Sequence, residues 1–124
     1  VVLVLSAAAR ADVKPNPLFG DNCVLQQNAK VPVWGTADDG EEVLVSINHQ
    51  DAKTVAKDGK WMVTLDTLKA GGPYELNIAG KNKMTFKNVL VGEVWICSGQ
   101  SNMQWSVTQG ENPAEVAATA RSLA

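Results

Sequence analysis

Histidine and cysteine are scarce in this chain of 124 residues: His49 stands alone, and Cys23 and Cys97 lie far apart in sequence. A metal site draws several His, Cys, Asp or Glu ligands at characteristic spacings, and no such cluster can be assembled from this inventory. A basic excess is missing too. Eleven Lys and Arg stand against 13 Asp and Glu, for a net charge of -2 and a pI near 5.3, which leaves no electrostatic footprint for nucleic acid. The two signs are interspersed, as on an ordinary solvated surface. Internal repeats, low-complexity segments and Asn-x-Ser/Thr sequons are absent. So is any apolar run long enough to span a bilayer, which takes about 20 residues.

What is present is enough apolar material, 45% of residues, for one real core of ordinary domain size. The start, Val1 to Ala9, is a short apolar stretch ending in small residues, and Ala9-Arg10-Ala11 follows as a small-x-small cleavage pattern before Asp12. Residues 1–11 therefore read as the tail of a secretory signal peptide that lacks its basic n-region; a piece of buried strand or helix is the alternative. Export implies a secreted or periplasmic protein (lysosomal or extracellular in a eukaryote), with no membrane association after cleavage. An oxidising compartment permits a Cys23–Cys97 disulfide, and two free, partly buried thiols fit equally well.

From Asp12 to Val91 the pattern is β throughout. Val43, Val45 and Ile47 alternate with Leu44 and Ser46; Trp61, Val63 and Leu65 with Met62 and Thr64; Tyr74, Leu76 and Ile78 with Glu75 and Asn77; Met84 and Phe86 flank Thr85. A period of two puts one face of each strand on a core and the other toward solvent. Asp38-Asp39-Gly40, Asp58-Gly59, Gly71-Gly72-Pro73 and Gly80-Lys81-Asn82 punctuate the runs as turns. Six or seven short strands at this spacing predict an antiparallel β-sandwich over 12–91.

The character changes at Gly92. Val94-Trp95-Ile96 is apolar without alternation, the pattern of a parallel strand buried on both faces. Cys97-Ser98-Gly99-Gln100-Ser101-Asn102-Met103 then turns small and polar. A strand that stops at such residues can present a serine at its C-terminal mouth, with Gly99 permitting a tight turn and Ser101 emerging where a helix can begin. A polar loop capping a strand would look similar. Met103 occupies the second glycine position of Gly-x-Ser-x-Gly, so the stretch is not the nucleophile elbow of α/β-hydrolases. Asn112-Pro113-Ala114-Glu115 opens an alanine-rich helix, with Asn112 as N-cap and Pro113 at the first helical position. Residues 92–124 thus read as the first β-α unit of an α/β domain, cut short, because one such unit cannot cover its own apolar strand.

The string Gly92-Glu93-Val94-Trp95-Ile96-Cys97-Ser98-Gly99-Gln100-Ser101-Asn102-Met103-Gln104-Trp105 resembles the first conserved block of sialate O-acetylesterase-like proteins of the SGNH (GDSL-like) hydrolases. Leu18-Phe19-Gly20-Asp21-Asn22-Cys23-Val24-Leu25-Gln26-Gln27, Val31-Pro32-Val33-Trp34-Gly35 and Asp58-Gly59-Lys60-Trp61 match as well, in the same order. The resemblance implies a carbohydrate O-acetylesterase, acting on an acetylated sugar or glycan by a serine acyl-enzyme route that needs no metal or organic cofactor. It carries Ser101 over as nucleophile and backbone oxyanion donor, and Gly99, Gln100 and Asn102 as site architecture. Relatives often have methionine at the position of Cys23, which favours a packing role there. The base histidine of an Asp-x-x-His motif, and a glycine and an asparagine completing the oxyanion hole, belong to later blocks that do not follow Ser101 here. His49 lies in a polar turn, Ile47 to Asp51, and is no substitute. The expectation is therefore an N-terminal fragment inactive by itself. The alternative is a non-catalytic sandwich, either structural or binding glycans through Trp34, Trp61 and Tyr74; phase with Val63 and Leu65 points Trp61 to the core instead. No feature of the sequence speaks to oligomeric state.

Overall fold

The computed structural model describes residues 12–122. The segment read as a signal peptide, 1–11, lies outside the described residues. The chain divides into two compact units, one reaching to Val94 and the other starting at Trp95.

Among the described residues the first unit holds eight strands in two sheets. One sheet has the order β1 (Lys14–Pro15), β3 (Val31–Thr36), β6 (Lys60–Leu65); the other has β2 (Val24–Gln26), β8 (Lys83–Gly92), β7 (Gly71–Ala79), β4 (Glu42–Ile47), β5 (Gln50–Val55). All pairings are antiparallel except β2 with β8, which is parallel. The fold is mainly β, as the alternation predicts. Val43, Val45 and Ile47 from one sheet and Trp61, Val63 and Leu65 from the other are buried, and Leu76, Ile78, Val89, Val33 and Val13 join them. Burying a Val, Leu or Ile side chain contributes about 1.5–3 kcal/mol relative to exposure. The Trp61 indole N–H, which would be costly to bury unpaired, donates to the Thr36 carbonyl at 3.1 Å.

The turns explain the register. Asn48 and His49 both have positive φ (45° and 62°) and join β4 to β5 with Ile47 opposite Gln50, a two-residue loop whose twist suits a hairpin. Asp58 and Gly59, also at positive φ, turn the chain between Lys57 and Lys60. The Gly71-Gly72-Pro73 stretch departs from expectation: it is not a turn but the irregular start of β7, with Gly71 already opposite Val91. Strand β8 changes phase midway. Tyr74 is opposite Val89 but Leu76 is opposite Phe86, so β8 carries an extra residue there, and Asn88 sits at φ 55°. This bulge moves the inward positions from Met84 and Phe86 to Val89 and Val91.

Two glycines mark close approaches. A side chain at Gly35 would collide with the Lys14 carbonyl, where β1 crosses β3, and one at Gly80 would press on Val13 and stand 2.7 Å from Glu41 Oε1. Glu41 is the buried carboxylate that Gly80 makes room for. Its Oε1 accepts the Lys81 N–H at 2.8 Å and its Oε2 lies 3.6 Å from the Lys81 ammonium. That ammonium also reaches Asp38 at 2.9 Å, and this bond foremost holds the Lys81 pKa above its ordinary value.

The second unit contains two 3-10 turns, Ser101–Gln104 and Val107–Gln109, and helix α1 (Pro113–Ser122). The helix begins where the sequence predicts, with Pro113 first and the Asn112 carbonyl accepting the Val116 N–H at 3.2 Å. Asn112 itself is left-handed, φ 52°. The strand expected at Val94–Ile96 is absent. These residues pair with no strand among the described residues, and Val94, Trp95 and Ile96 are 47%, 82% and 93% exposed. A buried parallel strand exists through neighbours that hydrogen-bond both its edges, and among the described residues no strand pairs with this one.

Candidate active site

Ser101 is the first residue of the 3-10 turn Ser101–Gln104, closed by the Met103 N–H donating to the Gln100 carbonyl at 3.0 Å. It is exposed, as are Gly99 and Gln100. The helical start anticipated at Ser101 is therefore present in its shortest form. Amides opening such a turn have no partner within it, so the Ser101 N–H is available to an outside acceptor as far as its own turn is concerned. Gly99 differs from expectation in its reason. It is not among the residues of positive φ; a Cβ there would instead stand 3.0 Å from Met103 Cγ, so the missing side chain makes room for methionine.

His49 occupies the tip of the β4–β5 hairpin in the sandwich unit and is exposed. Among the described residues no group of three or more His, Cys, Asp or Glu side chains is arranged to hold a metal ion. Cys23 and Cys97 are free thiols, the first half-buried against the core and the second exposed.

The aromatic residues weighed as a glycan platform do not share a face. Trp61 is buried between the sheets, 3% exposed. Trp34, opposite Met62 in the ladder, alternates with buried Val33 and so lies on the other side of the same sheet, half-buried and edge-on to Phe19 with ring centroids 5.0 Å apart. Tyr74 belongs to the other sheet. The Trp34 side has a cleft of about 400 Å³ bounded by Lys14, Asn16, Trp34 and Lys60.

The sequence reading assigned no role to Gln26, Gln27 and Glu93, which meet where the sandwich ends. Both glutamine amides donate to the Glu93 carboxylate, and Gln26 Oε1 accepts the Val94 N–H at 2.9 Å. The amide of Gln27, then that of Gln26, holds the Glu93 carboxyl below its ordinary pKa. Two successive glutamines closing an apolar strand were the available signal.

No family model matches the chain. Among solved structures it is similar to a carbohydrate acetylesterase from Xanthomonas citri, with a TM-score of 0.78 and 34% identity, covering 85% of this chain and 25% of that one. Fold and sequence thus agree on the carbohydrate acetylesterase class of relative. Within it, the similarity is to sialate O-acetylesterases: the human enzyme is 38% identical over 105 residues, 73% of this chain and 20% of the relative. The mouse enzyme is 39% identical over 90 residues, 62% of this chain and 16% of the relative. The resemblance to the sialate O-acetylesterase-like family that the motifs carry is shown by these comparisons. The chain spans about a fifth of the length of the curated relatives it matches.

Proposed function

We propose that this chain is an N-terminal portion of a carbohydrate O-acetylesterase of the SGNH class, with Ser101 as nucleophile. The observation that carries the reading is the exposed Ser101 at the head of its turn, inside the motif through which the chain resembles acetylesterases. In the reaction, Ser101 Oγ attacks the acetyl carbonyl while a base takes its proton. The negative oxygen that develops is met by the Ser101 N–H, the sugar hydroxyl leaves with the proton, and water then splits the acetyl-serine to acetate and free serine. None of these steps calls for a metal or organic cofactor. Gly99, Gln100 and Asn102 shape the turn.

The base lies outside this chain in this reading. His49 stands exposed at a hairpin tip, and among the described residues no carboxylate hydrogen-bonds it in the way that orients a catalytic imidazole. Residues 92–124 are then the opening of the catalytic domain, 12–91 its accessory sandwich, and the exposed Val94-Trp95-Ile96 the strand that its neighbours would bury. Residues 1–11 are the end of a signal peptide, and the protein is exported.

The test is hydrolysis of an acetylated sugar by the chain alone, and by the same residues within a protein of the relatives' full length. The chain alone is expected to stay at background. In the longer protein Ser101→Ala is expected to lower kcat by about 10³-fold or more, the scale at which hydrolases lose rate when a nucleophile is removed. Ser101-dependent turnover by the chain alone would overturn the assignment of the base, and full activity in Ser101→Ala would overturn the nucleophile.

A further inference from the structure

Trp34 stands in β3, the middle strand of its sheet, with its ring on the outer face and edge-on to buried Phe19. Because β3 is paired on both sides and Phe19 is fixed in the core, the ring is held in place before any ligand arrives. It borders two clefts. One, of about 400 Å³, has Lys14, Asn16, Thr36 and Lys60 around it. The other, of about 250 Å³, has Val55 and Met62, apolar side chains more than half exposed.

The larger cleft has its acceptors occupied and its donors free. The Asn16 carbonyl accepts the Phe19 N–H, the Trp34 carbonyl the Asn16 N–H, and the Lys60 carbonyl the Lys57 N–H. The Thr36 carbonyl takes the Trp61 indole N–H, and Asn16 Oδ1 takes the Leu18 N–H. Among the described residues, by contrast, no acceptor meets the Trp34 indole N–H or the Asn16 side-chain N–H groups, and no carboxylate pairs with the Lys14 or Lys60 ammonium. Free donors, two of them charged, match a ligand that brings acceptors and negative charge. An indole wall with apolar neighbours matches one that also brings a C–H face. A bare inorganic anion lacks the face, and a neutral sugar lacks the charge. A carboxylated sugar has both.

We propose that the clefts beside Trp34 form a non-catalytic binding site for a carboxylate-bearing sugar unit. Its ring face lies on the indole, its carboxylate on Lys14 and Lys60, and a hydroxyl oxygen accepts from Asn16. The whole site belongs to the sandwich unit, so it holds whether or not Ser101 is a nucleophile. The choice of a sugar rests in part on the proposed function; the anionic class rests on the cleft itself.

The test is titration of the intact, isotope-labelled chain with a galacturonate trisaccharide, followed by NMR at the Trp34 indole N–H, whose signal Trp34→Phe identifies. That signal is expected to shift saturably. The fully methyl-esterified trisaccharide, the same sugar without its charge, is expected to bind at least about 10-fold more weakly, the scale of a lost charge-assisted hydrogen bond. Lys14→Gln and Lys60→Gln are each expected to weaken binding about 3-fold, as exposed ion pairs do, and Trp34→Ala about 10-fold or more. Trp34 is half-buried and its loss can loosen the sandwich, so the exposed lysines decide: unchanged affinity in the double variant at unchanged Tm overturns the carboxylate assignment. No saturable shift, or equal affinity for acid and ester, overturns the site. An equal shift from sodium acetate at the same carboxylate concentration overturns the sugar class. Failure of the esterase reading is separately visible, as full turnover by Ser101→Ala in the longer protein.

Discussion

The two units of this chain use apolar residues in opposite ways. Between Val13 and Val91 the inward-facing members of the alternating runs, such as Val43, Val45, Ile47, Val63, Leu65, Leu76 and Ile78, are sealed between two sheets, whereas from Val94 onward Trp95, Ile96, Met103, Trp105, Val107 and Val116 are each about half or more exposed. Hydrophobicity alone therefore does not decide burial. Alternation with turns at short intervals lets the sandwich strands supply one another's partners within a hundred residues, while an apolar run meant for a parallel sheet depends on strands that arrive later or not at all.

The contrast can be broken most forcefully in the core. Trp61→Ala is expected to cost about 3–5 kcal/mol, and Ile96→Ala, at a site already 93% exposed, no more than about 0.5 kcal/mol; urea unfolding of both variants measures the difference. A comparable loss from Ile96→Ala would mean that the second unit has a core of its own. Next in size, Gly35→Ala is expected to lose about 1–3 kcal/mol in the same assay, because the added methyl meets the Lys14 backbone and not a side chain that can swing away. Smallest is a pH effect at the border between the units. Glu93 has its pKa lowered from 4.5 by the Gln27 and Gln26 amides. A depressed carboxyl contributes stability above the unfolded-state pKa and loses it as pH falls through the folded-state value. Protection of the Val94 amide, corrected for intrinsic exchange, should thus persist at pH 4.5 and decline below it, and Glu93→Gln should make it pH-independent. Decline centred at or above pH 4.5 would contradict the bonding described for the carboxylate.

Much of the sandwich was legible because its information is local. The period of two in Val43–Ile47 and Trp61–Leu65, and the short runs Asp58-Gly59 and Gly80-Lys81-Asn82, specify a face or a turn within a few residues. What escaped was either short or nonlocal. Strands β1 and β2 are two and three residues long, and β5 alternates with alanine and threonine in place of large apolar residues. The phase change in β8 depends on Asn88 adopting positive φ, which asparagine tolerates but does not announce. At the candidate site, the turn at Ser101 was legible from its small polar residues. The reason for Gly99 was not, since it depends on where the Met103 side chain lies, and neither was the meeting of Gln27 with Glu93, 66 residues apart.

That separation has a kinetic consequence. The β4–β5 hairpin can zip from a two-residue loop as soon as its residues exist, whereas β2 must wait for residues 90–92 and meets them only by closing nearly the whole sandwich into one loop. Loop closure thus opposes this pairing more than any other among the described strands, and until residues 90–92 have been made Val24–Gln26 lacks the strand it pairs with. The short length of β2 limits how much unpaired backbone that interval exposes to other chains, a protection against misassembly contained in three residues.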